Sequence, residues 1–281
     1  MKNDNFIHWY PGHIAKAEKQ LKEKLTLCDV AIEVLDARIP FSSMYGDIDK
    51  LLNGKPRLVL LNKSDLVDKD ELSVFIKSIR DIENYPVISM SAKSSSNISL
   101  IVKKVLELSE PRIQAQMAKG LLRRPSRVIV VGMPNVGKSS VINKLTNTSK
   151  TKTGAKAGVT RQQQWVRINK NIDLLDTPGI IPMKQDNQEV AAKLATVNSV
   201  SENAYDNEPV AEYLLEILAE KYPEKMQEIY PNCSLTLEGI ANIKNWLISG
   251  NSPDLQRAAA LILRDFRSGK MGKFILDKIE Q

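Results

Sequence analysis

The sequence predicts a doubly wound α/β domain followed by an all-helical domain, on three observations. Apolar runs at Val30 to Leu35, Leu58 to Leu61, Val87 to Met90, Val128 to Val131 and Ile172 to Leu175 each end in polar or Gly-containing turns, as buried parallel strands do. Helical patterns lie between them, for example Asp70 to Ile82 and Ile98 to Leu108, which makes the alternation βαβ. After about Asn187 the strand-like runs stop, and helical patterns with breaks at Pro209, Pro223, Pro231 and Pro253 take over. The expected division is residues 1–186 for the α/β domain and 187–281 for the helical one. A further run, Gln164 to Ile168, alternates and suits a sheet edge.

Composition bounds the rest. At 281 residues and 42% apolar content the chain can bury an ordinary core. No apolar run approaches the roughly 20 residues that cross a bilayer, and the N-terminus lacks a signal-peptide stretch, so the expected location is the cytoplasm, with no membrane partner. Cys28 and Cys233 are far apart, which argues against a disulfide framework or a cysteine-ligated metal. The net charge of +7 is unevenly spread. Arg112, Lys119, Arg123, Arg124 and Arg127 fall in an acid-free stretch, as do Lys144, Lys150, Lys152, Lys156, Arg161, Arg167 and Lys170. Such runs read either as a solvated face or as a surface for a polyanion.

Val128 to Val131 runs into Gly132-Met-Pro-Asn-Val-Gly137-Lys138-Ser139 and then into a helical pattern, the context in which GxxxxGKS is a phosphate-binding loop. Its two glycines let backbone N–H groups converge, and the helix N-terminus adds positive potential. Lys138 reaches the β- and γ-phosphates, the Ser139 hydroxyl ligates Mg²⁺, and Asn135, Val136, Gly137 and Ser140 line the same loop. Downstream, Asp176-Thr-Pro-Gly179 ends a strand, where Asp176 can hold a magnesium-bound water and the Gly179 N–H can meet the γ-phosphate. Thr160, between the two motifs, is the candidate second magnesium ligand.

Upstream, Asn62-Lys63-Ser64-Asp65 and Ser91-Ala92-Lys93 follow strands and together supply a base pocket. The Asp65 carboxylate accepts the N1 and N2 hydrogens of guanine, a donor pair that adenine lacks, so the ligand is GTP or GDP rather than ATP. Asn62 braces the pocket, the Lys63 stem covers the base, and the Ala92 N–H faces guanine O6. Either motif alone is compatible with an ordinary turn; their value is their joint position at strand ends beside the phosphate loop.

The base motifs precede the phosphate motifs, so the order is circularly permuted. A doubly wound sheet permits this, because every functional loop lies at one strand edge whatever the order of the chain.

With Trp9-Tyr-Pro-Gly-His13-Ile-Ala-Lys-Ala, Asp36-Ala-Arg-Ile-Pro40 and the permuted motifs, essentially the whole chain resembles the circularly permuted ribosome biogenesis GTPase A family, RbgA or YlqF. The resemblance implies a GTPase that acts late in assembly of the large (50S) ribosomal subunit; a monomer is the separate expectation. It is stimulated by that subunit and contacts rRNA and ribosomal proteins, with rRNA met through the helical domain. Ile180 follows Gly179 where a water-positioning glutamine would be needed, so the polar group for hydrolysis comes from elsewhere. The resemblance assigns that role to His13; packing or RNA contact is the alternative, while His8 receives no role. It also likens Asn135 to the asparagine that holds K⁺ in potassium-dependent GTPases, against a plain turn-stabilising role. A protein-partnered switch and an RNA-binding module with a vestigial site are the rival functions. On the last helical pattern, Pro253 to Arg267, Arg257, Arg264 and Arg267 are candidates for RNA contact.

Overall fold

The structure is a computed structural model that describes residues 12–94, 97–147, 165–175, 179–180 and 187–279; the side chains of 12–18, 83, 147, 179 and 180 are not part of that description. The chain opens with helix α1 (Gly12–Thr26) and continues through β1 (Val30–Asp36), α2 (Ile48–Leu52), β2 (Arg57–Asn62), α3 (Lys69–Glu83), β3 (Val87–Ser89) and α4 (Ile98–Met117). The second half adds β4 (Ser126–Gly132), α5 (Lys138–Asn147), β5 (Trp165–Asn169), β6 (Ile172–Leu175) and β7 (Gly179–Ile180). One seven-stranded sheet results, in the order β3-β2-β1-β4-β6-β5, with β7 also pairing β4.

All pairings are parallel except β5 with β6, so the alternating segment forms an antiparallel edge as its pattern predicts. All seven residues of β1 are buried, which is why a central parallel strand reads as a continuous apolar run. Side chains divide by strand period. Leu35, Val59, Leu61 and Val87 pack with Leu72, Phe75 and Ile79 of α3, whereas Ile32, Val34, Leu58 and Leu60 join a larger core with Ile101 and Val105 of α4.

Glu33 of β1 departs from the apolar run and is fully buried, paired with buried Arg57 at 2.8 Å. The Arg57 guanidinium also lies 4.0 Å from the Tyr85 ring centre. Helix α4 extends past the expected Leu108 to Met117 with Pro111 inside it; Pro111 lies on the exposed face, where a missing N–H costs least.

The helical region comprises α6 (Gln188–Thr196), α7 (Asn207–Lys221), α8 (Pro223–Ile229), α9 (Leu237–Ile243) and α10 (Leu255–Ser268). Pro209 corrects one expectation: it lies in the first turn of α7, where an N–H has no helical partner anyway, so it starts that helix instead of breaking it. Pro223 likewise opens α8. On α10, Ala258, Ala259, Ile262, Leu263 and Phe266 form the buried stripe.

After α10 the chain returns to the sheet. The Leu276 N–H donates to Arg38 O at 2.7 Å, and Ile275 inserts among Leu35, Val59 and Phe75. The Asp277 carboxylate accepts from Phe41 N (2.8 Å), Ser42 N (2.9 Å) and Ser42 Oγ (2.5 Å), and meets Lys193 of α6 at 3.4 Å. This strap joins the first half of the α/β domain to the helical region.

Candidate nucleotide-binding site

The C-terminal ends of β1, β2 and β4 bring Asp36, Asn62 and Gly132 to one edge of the sheet. Two glycines make the phosphate loop possible. Gly132 (φ 151°) passes so close to β1 that a Cβ there would stand 2.4 Å from Val34 O, and Gly137 (φ 100°) leaves 2.2 Å between such an atom and Asn62 Nδ2. Asn135 takes the left-handed conformation at φ 56°.

The base motifs and the phosphate loop are joined directly. Asn62 Nδ2 donates to Val136 O at 2.9 Å, and Asn62 Oδ1 accepts from Ala92 N at 3.2 Å. Lys63 Nζ donates to Asn135 O at 2.8 Å and lies 2.8 Å from Asp36 Oδ2. Asn62 thus links the phosphate loop to the Ser91-Ala92-Lys93 segment, and the Ala92 N–H is engaged by Asn62 in this conformation.

Asp65 is held at both oxygens. Ser91 Oγ donates to Oδ1 at 2.7 Å and Lys93 Nζ lies 3.3 Å from Oδ2. Burial favours the neutral acid, but the Ser91 hydroxyl and Lys93 outweigh it, and the carboxyl is held below its usual range. The carboxylate is therefore ionised at neutral pH, as an acceptor for two N–H groups must be. Lys93 is 75% exposed, so it can yield its oxygen to a base.

Lys138 begins α5 and donates from Nζ to Met133 O at 2.6 Å; burial pushes its ammonium down to about 8. Ser139 and Ser140 are exposed at the N-terminus of α5. The Asn135 side chain turns to the helical region and donates to Asn198 O at 2.7 Å. A cavity of about 230 Å³ is lined by Asn62, Lys63, Asp65, Ala92, Gly137 and Ser140, together with Arg267 of α10.

Helix α1, whose first turn carries His13, packs against β7, which begins at Gly179. The side chain of His13, and Thr160 and Asp176 altogether, lie outside the described residues. Of the cation runs, Lys150, Lys152, Lys156 and Arg161 also lie outside them. Arg112 and Arg124 pair with Asp29, and Arg123 with Glu110, so these three belong to intramolecular ion pairs. Arg167 pairs with Asp173.

A family model described as "50S ribosome-binding GTPase" matches residues 127–230. Ribosome biogenesis GTPase A of Bacillus cereus is 37% identical over 281 residues, covering 98% of this chain and 95% of that protein. The chain belongs to the ribosome biogenesis GTPase A family. Solved members agree in fold: a GDP-bound YlqF has a TM-score of 0.70 at 26% identity, covering 93% of this chain and 100% of its own. The GNP-bound YlqF of Thermotoga maritima has a TM-score of 0.67 at 28% identity, covering 94% and 100%. The permuted order of motifs belongs to that family, and the hydrogen bonds from Asn62 and Lys63 to Val136 and Asn135 join the two halves of the chain at one site, whatever their order.

Sequence reasoning treated Asp36 and Arg38 only as marks of resemblance and did not bring Arg267 to the nucleotide. A carboxylate ending a buried strand at the ligand edge was a usable signal for Asp36. Nothing local marks Arg267.

Proposed function

We propose that this protein is a Mg²⁺-dependent GTPase that acts late in assembly of the large (50S) ribosomal subunit, and that it is stimulated by contact with that particle. The observation that carries the reading is the joining of the base and phosphate motifs, from opposite halves of the chain, around one cavity. Asp65 selects guanine, Lys138 neutralises the β- and γ-phosphate oxygens, and the α5 N-terminus adds backbone N–H donors. An exposed serine hydroxyl beside those phosphates fits a magnesium ion, which takes oxygen ligands and shares them with phosphate. Ser139 holds it in this reading, with Thr160, and Asp176 acts through a water; the ion supplies charge neutralisation.

Hydrolysis is attack of water on the γ-phosphorus, releasing GDP and phosphate, and His13 orients that water. The packing of α1 on β7 supports this role, since it brings His13's helix beside the segment of Gly179. Asn135 is the proposed K⁺ contact, in which case its side chain leaves Asn198. The helical part, residues 187–281, meets rRNA; Arg257 and Arg264, exposed on α10, are its candidate phosphate contacts, whereas Arg267 is engaged internally. The protein works as a cytoplasmic monomer.

The test is steady-state GTP hydrolysis in K⁺ buffer with and without purified large subunits, comparing the unaltered chain with His13→Ala. Strong stimulation, lost in His13→Ala while particle binding persists, is the expected result. Absence of stimulation by mature and immature subunits would overturn the ribosomal reading.

A further inference from the structure

The cavity at the nucleotide site has a wall that none of the nucleotide motifs supplies. Arg267, in the last turn of α10, lines it with Asn62, Lys63 and Asp65. Its guanidinium is held from behind by the end of α6 and by Tyr205 before α7: Nη2 donates to Ala195 O at 2.9 Å and to Tyr205 Oη at 2.8 Å, and Nε donates to Thr196 O at 3.0 Å.

The same turn is fastened to the base-binding half. Arg38 Nη1 donates to Arg267 O at 3.4 Å, and its guanidinium lies 5.4 Å from the Phe266 ring centre. Gly269, which caps α10 at φ 82°, approaches Leu66 so closely that a Cβ there would stand 2.6 Å from Leu66 Cδ2. On its other side Arg38 grips Asp36 through Nε (2.9 Å) and Nη2 (2.7 Å), and Asp36 holds Lys63 at 2.8 Å. Asp36 and Arg38 are both buried. An unbroken series of contacts therefore runs from Lys63 through Asp36 and Arg38 to α10.

We propose that Asp36 and Arg38 are positioning residues of the guanine site: they fix Lys63 beside the base and seat the last turn of α10 so that Arg267 closes the pocket, which couples guanine-nucleotide binding to the docking of α10. The proposal rests on the assignment of this cavity to guanine. Its logic is electrostatic. A lysine shared between a buried carboxylate and the Asn135 carbonyl has a fixed stem, and the stem is the part that lies along a base. Removing the Asp36 charge frees Lys63 and leaves Arg38 buried without its counter-charge, a costly state. Coupling of this kind is reciprocal: whatever factor α10 docking contributes to nucleotide affinity, nucleotide returns to α10 docking.

The experiment uses the full chain and GDP as the probe, and reads the GDP dissociation constant together with amide hydrogen exchange in α10 and α3. In the unaltered protein GDP slows exchange in the last turns of α10 and leaves α3 unchanged. Arg267→Ala, at a partly exposed position and with its urea midpoint measured alongside, weakens GDP binding about fivefold or more and abolishes the slowing in α10 at saturating GDP. Asp36→Asn gives the same loss through the other end of the series. Unchanged α10 exchange on GDP binding to the unaltered protein, or unaltered GDP affinity in Arg267→Ala, overturns the proposal. Asp65→Asn separates the two levels. If that variant binds GDP normally, the guanine assignment itself fails; if it loses GDP while α10 of the unaltered protein ignores the nucleotide, only the coupling fails.

Discussion

Asn62 Nδ2 donates to Val136 O at 2.9 Å across 74 residues of sequence, and by that bond the base-binding half of the chain grips the phosphate loop. The amide is buried and works from both ends, because its oxygen accepts from Ala92 N.

Asn62→Ala leaves the Val136 carbonyl and the Ala92 N–H without these partners. Each lost bond to a buried group costs about 1 kcal/mol, so GDP affinity should fall by roughly 30-fold for the pair. Titration of a fluorescent GDP analogue measures it; a loss below about threefold would show that the brace is dispensable.

Asp65→Asn replaces an acceptor of two N–H groups with a group that offers one acceptor and one donor. Xanthine carries a carbonyl where guanine carries its N2 amine, so the variant should lose GTP by about 2 kcal/mol or more and gain XTP. Competition between the two triphosphates reads this directly, and retained preference for GTP would remove Asp65 from the base contact.

The pH dependence of binding follows from Lys138. Burial holds its free-state pKa at about 8, and the anionic phosphates of a bound nucleotide raise it. Above about pH 8 the free protein must therefore take up a proton to bind. GDP affinity should be flat below that value and decline toward tenfold per pH unit above it, until the pKa of the complex is reached. Folding without nucleotide carries the opposite slope: the unfolded lysine binds more protons between about 8 and 10.5, so this group makes stability rise with pH across that window. Lys138→Met should lose both slopes in isothermal titration and chemical denaturation; slopes unchanged in the variant would assign them to other groups.

Asp277→Ala tests the strap. It removes the acceptor for Phe41 N, Ser42 N and Ser42 Oγ and leaves buried Lys193 without this carboxylate. The expected destabilisation is about 3 kcal/mol in urea unfolding. A change within about 0.5 kcal/mol would mean that Ile275, the Leu276–Arg38 hydrogen bond and the other strap contacts hold it without the Asp277 carboxylate.

Gly137→Ala should impair the phosphate loop more than the fold. A Cβ at φ 100° would meet Asn62 Nδ2 at 2.2 Å, so the methyl displaces the same amide that holds Val136. GDP binding is expected to fall at least as far as in Asn62→Ala while the urea midpoint moves little; normal GDP affinity would contradict the contact.

The sequence by itself determined the class of sheet, its strands and the ligand edge, because these depend on local signals. A buried parallel strand must be apolar throughout, as β1 nearly is, and a phosphate loop must place glycine where Gly132 and Gly137 stand. The candidate base pocket was marked equally locally, since Asn62 and Asp65 stand at short spacing and line one cavity. Only the tertiary structure decided which charges are free. Arg112 and Arg124 read as an open basic surface until Asp29 meets them, and Arg267 read as an RNA contact until its guanidinium turned to the end of α6. Ion pairing and pocket closure depend on partners tens to hundreds of residues away, and such distances leave no periodicity in the chain. The strap through Ile275 and Asp277 follows the same rule: nine residues without regular secondary structure, 271–279, give no pattern to read, and their place comes from the Phe41 and Ser42 N–H groups and the apolar gap under α3 that they fill.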